Sequence, residues 1–172
     1  MEGGQPIRIY CKGDTTLNMA VRGNELRLVR DDPNDESQVC DGVGKLTDDE
    51  ERPAFALHWI QDYSVGRVTD DQGRRAFALV NNLGGTRRVV LISTKNNRQL
   101  EMAPYGDCVK LSMLWSLGVQ LPGGYSEVRV LSDLSKTLNG INGFVKEGTV
   151  VGIYSAEPHS IHAIWKFDPI NK

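Results

Sequence analysis

Short alternating apolar runs, glycine- and asparagine-rich turns between them, and three tryptophans at corresponding points predict an all-β protein built from three similar units. The runs are IRIY at 7–10, LRLV at 26–29, RAFALV at 75–80, RVVLI at 88–92, EVRVL at 127–131 and TVVGIY at 149–154. Their period of two is that of strands with one buried face. Turn formers separate them: Arg22-Gly23-Asn24, Asn81-Asn82-Leu83-Gly84-Gly85, Pro122-Gly123-Gly124 and Asn142-Gly143. Helical periodicity is confined to Cys108–Leu117, room for one or two turns.

Each unit reads as a strand opener, a middle strand pair and a tryptophan strand. The first holds IRIY, LNMAV/LRLV and His58-Trp59. The second holds RAFALV, RVVLI/QLEMA and Leu114-Trp115, and the third EVRVL, KTLNGI/VVGIY and Ile164-Trp165. Openers begin at 7, 75 and 127, so the first unit is about 16 residues longer than the second. Setting aside an acidic insertion at about 39–57 leaves 153 residues for three units of four strands. Three such units, none able to close a core alone, make a β-trefoil, a single domain over 1–172. A sandwich or another barrel shares this strand spacing, and two stacked sheets on a Greek-key path would overturn the reading.

Composition sets the outer bounds. The chain has 172 residues, 40% of them hydrophobic, and a formal charge of −2. That length buries a core without metal or disulfide staples, and that apolar content excludes wholesale disorder. No 18 apolar residues run together, and MEGGQPIRIY is not a secretory signal. Three cysteines (Cys11, Cys40, Cys108) at unrelated spacings fit reduced thiols of cytosol or nucleus. Residues 31–51 hold nine acids and one base, a charge of −8, which leaves +6 for the rest. This is the pattern of a solvated acidic loop on a mildly basic body. The Arg74-Arg75 and Arg87-Arg88 pairs fall short of a nucleic-acid footprint, and no nucleic-acid or membrane partner is expected.

Within the insertion, DDEERPAFAL at 48–57 repeats seven positions of DDQGRRAFAL at 70–79, by chance or by local duplication. Phe55 and Leu57 are apolar enough to pack. Glu157-Pro158-His159-Ser160-Ile161-His162 gathers an acid and two histidines, but two ligands without nearby cysteines do not predict a metal site. There is no Gly-x-Ser-x-Gly elbow and no phosphate-cradling glycine loop, so neither an enzyme nor a cofactor is expected. Cys11 is expected to be buried and inert, and Cys40, if accessible, to be blunted by surrounding carboxylates. The three tryptophans read as core anchors.

Particular residues resemble a known family. Ile7–Lys12, Leu17–Arg22, Leu26–Leu28 and Asp32–Gln38 look like the opening of the Euonymus-lectin domain, a ricin-B-like plant lectin. The likeness resumes at His58-Trp59-Ile60-Gln61-Asp62-Tyr63-Ser64, Val68–Gly73 and Ala76–Asn81. The family's continuous Gln-His-Trp is interrupted here, Gln38 and His58 being separated by 19 residues, which places the insertion a second way. The resemblance implies a β-trefoil, a cytoplasmic and nuclear location, a link to stress responses, and sugar binding in the third unit. There an acid and an amide would take hydroxyls while an aromatic ring stacks on the pyranose.

The resemblance also shows departures. The acidic position falls in Leu138-Asn139-Gly140-Ile141-Asn142, which has no carboxylate, and the stacking ring maps to Tyr154. No unit keeps Gln-x-Trp: Leu57, Met113 and Ala163 stand at the glutamine positions. Asn142 and Tyr154 are the candidate carbohydrate-binding pair, in a site that reads as degenerate. The alternative is a protein-interaction module of stress or defence signalling that uses the acidic insertion or the trefoil loops. The partner is thus a glycan or a protein, and the sequence leaves the oligomeric state open.

Overall fold

The computed structural model describes residues 5–30, 58–81, 87–96, 98–106, 108–143, 145–157 and 160–170. The 39–57 insertion, with Cys40, Phe55 and Leu57, lies outside the described residues, as do Gln38, Pro158 and His159.

Twelve strands fall into three repeats. The first has β1 (Ile7–Cys11), β2 (Leu17–Arg22), β3 (Glu25–Arg30) and β4 (Ile60–Asp62). The second has β5 (Ala78–Asn81), β6 (Arg88–Ile92), β7 (Leu100–Pro104) and β8 (Trp115–Leu117). The third has β9 (Val128–Val130), β10 (Asp133–Gly140), β11 (Val151–Ser155) and β12 (Trp165–Pro169). The sheets run β12-β1-β2-β3, β4-β5-β6-β7 and β8-β9-β10-β11. The fourth strand of each repeat therefore joins the first strand of the next, and β12 returns to β1. This closed three-fold arrangement is a β-trefoil, with no α-helix among the described residues.

The tryptophans make the three-fold relation explicit. Trp59 exchanges two backbone hydrogen bonds with Ile7, Trp115 with Phe77 and Trp165 with Ser126, at 2.8–2.9 Å throughout. Each pair ties the last strand of a repeat to its own opener. The side chains are 0–1% exposed and share one core with Ile9, Met19, Leu28, Leu138 and Ile153. Trp59 Nε1 donates to the Met19 carbonyl at 2.8 Å, and Trp165 Nε1 to that of Leu138 at 2.9 Å. Trp115 Nε1 is buried without a hydrogen-bond partner among the described residues. Cys11 is fully buried, and burial pushes its thiol pKa up.

Polar residues sew two of the seams between repeats. Tyr10 donates its hydroxyl to Asp168 at 2.8 Å, while the Arg8 guanidinium lies 5.1 Å from the Tyr10 ring. Tyr105 donates to Asp62 at 2.9 Å, with Arg87 5.1 Å from its ring. Asp62 and Asp168 stand at the same offset from Trp59 and Trp165. Burial foremost, then the carboxylate hydrogen bond, pushes the pKa of both tyrosines up to about 12.

The Cys108–Leu117 patch holds one short turn, as its length allows: a 3-10 turn at Leu111–Met113 followed by β8. Leu111 and Leu114 mimic helical spacing only because a tight turn precedes the strand. The third-repeat hairpin begins earlier than KTLNGI, because β10 starts at Asp133, in a largely exposed stretch that carries no apolar pattern.

Candidate functional site

The third repeat presents an exposed aromatic ring beside two clefts. In β11 the burial runs from Val151 and Ile153 inward to Tyr154 and Ser155 outward, which leaves Tyr154 48% exposed. Thr137 of β10 is its strand partner.

A loop from the second repeat reaches this ring. The β6–β7 turn holds itself rigid: Ser93 N donates to the Gln99 carbonyl, Gln99 N to that of Asn96, and Arg98 N to Asn96 Oδ1 at 3.0 Å. The turn then docks on β11, where Ile153 N donates to the Arg98 carbonyl at 2.9 Å. Gly152 permits the approach, since a Cβ there would stand 2.5 Å from the Arg98 oxygen. The Arg98 guanidinium comes within 5.6 Å of the Tyr154 ring centroid, a cation–π contact.

Opposite Arg98, the β11–β12 connection brings an acid and an imidazole together. Asn139 is 1% exposed and spends its amide nitrogen on the Thr137 carbonyl and hydroxyl, at 3.1 and 3.0 Å. Its Oδ1 is then left for His162 Nδ1 at 3.1 Å, so that ring nitrogen is the donor. The other nitrogen, Nε2, lies 3.3 Å from Glu157 Oε1. The Gly140 amide donates to the His162 carbonyl at 3.0 Å and anchors the loop to β10.

Arg98, Tyr154, Glu157 and His162 line a cleft of about 600 Å³ together with Asn96 and Gln99. A second cleft of about 390 Å³ lies across the same Arg98–Tyr154 ridge and is bounded by Ser132, Asp133, Lys136 and Ser155. The first volume is typical of small-molecule sites, which are shaped clefts with a few placed polar groups. The arrangement offers a flat apolar face, two charged acceptors and several donors. Among the described residues no group of three His, Cys, Asp or Glu side chains is placed to hold a metal ion.

Of the sequence candidates, Tyr154 stands at the ridge. Asn142 lies in a 3-10 turn at Ile141–Gly143, and its side chain is outside the described residues; Ile141 and Gly143 line the larger cleft. Asn139 stands in the stretch that the sequence singles out, but it is buried under His162 instead of facing solvent. Glu157 and His162 carried a sequence signal as an acid-and-histidine loop. Arg98 carried none, because its role depends on a contact between repeats.

No protein-family model and no curated protein matches the sequence. Solved structures do match the fold. The designed three-fold symmetric protein ThreeFoil is 13% identical, with a TM-score of 0.62 over 96% of this chain and 99% of that one. The BEL β-trefoil is 11% identical, with a TM-score of 0.62 over 99% and 96%. The Polyporus squamosus lectin, solved with Neu5Acα2-6Galβ1-4GlcNAc, is 13% identical, with a TM-score of 0.59. There this chain spans only half of the other, and it spans 33% of a Clostridium perfringens endo-β-galactosidase that releases GlcNAcα1-4Gal. At these identities the likeness establishes the β-trefoil fold.

Proposed function

We propose that the chain is a non-enzymatic carbohydrate-binding domain of the ricin-B-like kind, working through the third-repeat cleft. The observation that carries this reading is the half-exposed Tyr154 ring placed over a cleft that holds Glu157, His162 and Arg98. A pyranose has a weakly apolar C–H face suited to the ring and vicinal hydroxyls suited to paired acceptors and donors. Glu157, on the β11–β12 connection, supplies the carboxylate that Leu138–Asn142 lacks. Hydrogen bonds to charged groups contribute about 1.5–3 kcal/mol against about 1 for neutral ones, which makes Glu157 the main determinant of hydroxyl binding.

The first-half motifs support a Euonymus-type relationship. Galactose in the glycan bound by the Polyporus lectin makes galactose-containing glycans the first set to test, with mannose-type glycans as the comparison set. The test is a glycan array bearing galactose- and mannose-terminated structures, followed by calorimetry on the hits. Tyr154→Ala and Glu157→Gln should each weaken binding at least tenfold while the near-UV dichroism stays that of the parent. Absence of any bound glycan, or a Tyr154→Ala protein that binds as well as the parent, overturns the reading.

A further inference from the structure

The ridge that divides the two clefts repeats one chemical set on both of its sides. Glu157 provides a carboxylate on the larger side, and Asp133 provides one on the smaller. Donors flank each: Asn96 and Gln99 on one side, Lys136 and Ser132 on the other. Asp133 is held firmly in place, since its Oδ1 accepts from the Ser135 amide at 3.0 Å and from the Ser135 hydroxyl at 2.6 Å. Those bonds hold its pKa below the usual carboxylate range. Among the described residues, Tyr154 and Arg98 alone line both clefts, so one ligand touching the ridge reaches both.

From this duplication we infer that the third-repeat site takes a linear oligosaccharide of at least two rings, laid across the Tyr154–Arg98 ridge with one ring in each cleft. The inference rests on the carbohydrate reading and deepens it. A single pyranose would use only one carboxylate and leave the other cleft to solvent. The second ring's hydroxyls fall to Asp133 and Lys136, which lie outside the larger cleft. Arg98 belongs to the second repeat, so the full site exists only where the two repeats are docked.

Calorimetry with four probes tests this: methyl β-galactoside, N-acetyllactosamine, methyl α-mannoside and α-mannobiose. In the parent protein the disaccharide of the preferred series should bind at least tenfold more tightly than its monosaccharide. Lys136→Ala and Asp133→Asn, both exposed on β10, should bring that ratio to within twofold. A ratio near one in the parent, or a tenfold ratio that survives both substitutions, overturns the two-cleft site and leaves the carbohydrate reading standing. Failure of all four probes and of the array's longer glycans overturns both. Retained strand dichroism in each variant separates lost contacts from lost folding.

Discussion

The backbone amide of Ile153 in the third repeat donates to the carbonyl of Arg98 in the second, at 2.9 Å. Leu28 makes the same bond in the first repeat, its amide donating at 2.9 Å to Thr149 of the third. Leu28 and Ile153 are equivalent, since each pairs with the residue whose carbonyl receives a tryptophan indole. A hairpin tip is thus received by the third strand of the neighbouring repeat at both junctions. At the Arg98 junction the tip also carries a side chain into the candidate site.

Gly152→Ala tests that junction. The new Cβ would meet the Arg98 backbone oxygen at 2.5 Å, which yields only if the turn moves, and the Ile141 Cδ1 at 2.9 Å, which can turn aside. Overpacking of this kind costs about 1–3 kcal/mol. The denaturation midpoint should fall accordingly, and sugar binding should fall with it because Arg98 is displaced. An unchanged midpoint would mean that the turn shifts freely.

The tryptophans separate anchoring from hydrogen bonding. Trp59→Phe and Trp165→Phe each remove a donor that serves a buried carbonyl, whereas Trp115→Phe removes a donor that serves none. A net hydrogen bond contributes about 0.5–1.5 kcal/mol, and an unsatisfied buried group costs about 1–3 kcal/mol. Urea denaturation should therefore rank Trp115→Phe as the mildest of the three, by about 1 kcal/mol or more. Equal losses would show that ring volume alone sets the cost.

Alkaline pH should loosen both tyrosine seams. With folded pKa values of about 12 against an ordinary 10, Tyr10 and Tyr105 hold their protons more tightly when folded. Their contribution is complete below pH 10 and is lost as pH rises through 10 to 12, by at most about 1.4 kcal/mol per pH unit for each tyrosine. Stability measured from pH 9 to 12 should decline, and more shallowly in Tyr10→Phe. Identical slopes in parent and variant would remove Tyr10 from the account.

Joining Gln38 directly to His58 should leave a cooperative fold. Residues 105–114 and 156–164 make the corresponding connections in the other two repeats, so about ten residues span the gap. Closure entropy changes by only about 0.6 kcal/mol per doubling of length. The melting temperature of the 39–57 deletion should stay within a few degrees of the parent, and a large drop would assign core contacts to Phe55 or Leu57.

Strands with one face in the core announce themselves by period two, which is why β1, β3, β6 and β11 are legible as runs. Strands β4 and β8 span three residues each, too short to show any period, and only Trp59 and Trp115 mark them. The exposed start of β10 shows no apolar pattern at all. At the site, Tyr154 is singled out by the family resemblance, which maps the stacking ring to it, while the TVVGIY run makes its strand β11 legible. Asn139, Glu157 and His162 meet only when β10 and the β11–β12 loop are docked, and Arg98 arrives from another repeat. Polar side chains assembled across such distances leave no local periodicity to read.

The pairing of β12 with β1 has a consequence for synthesis. Tyr10 waits for Asp168, 158 residues later, while β4–β7 and β8–β11 each pair consecutive strands as they emerge. Two of the three sheets can therefore assemble on the ribosome in order. The first stays a three-stranded sheet with one bare side until Trp165–Pro169 arrives. An unpaired β1 exposes hydrogen-bonding groups that any extended chain can take up, and contacts so distant in sequence form slowly. The nascent chain is most prone to capture by chaperones, or by its own copies on the same polysome, in the interval before β12 appears.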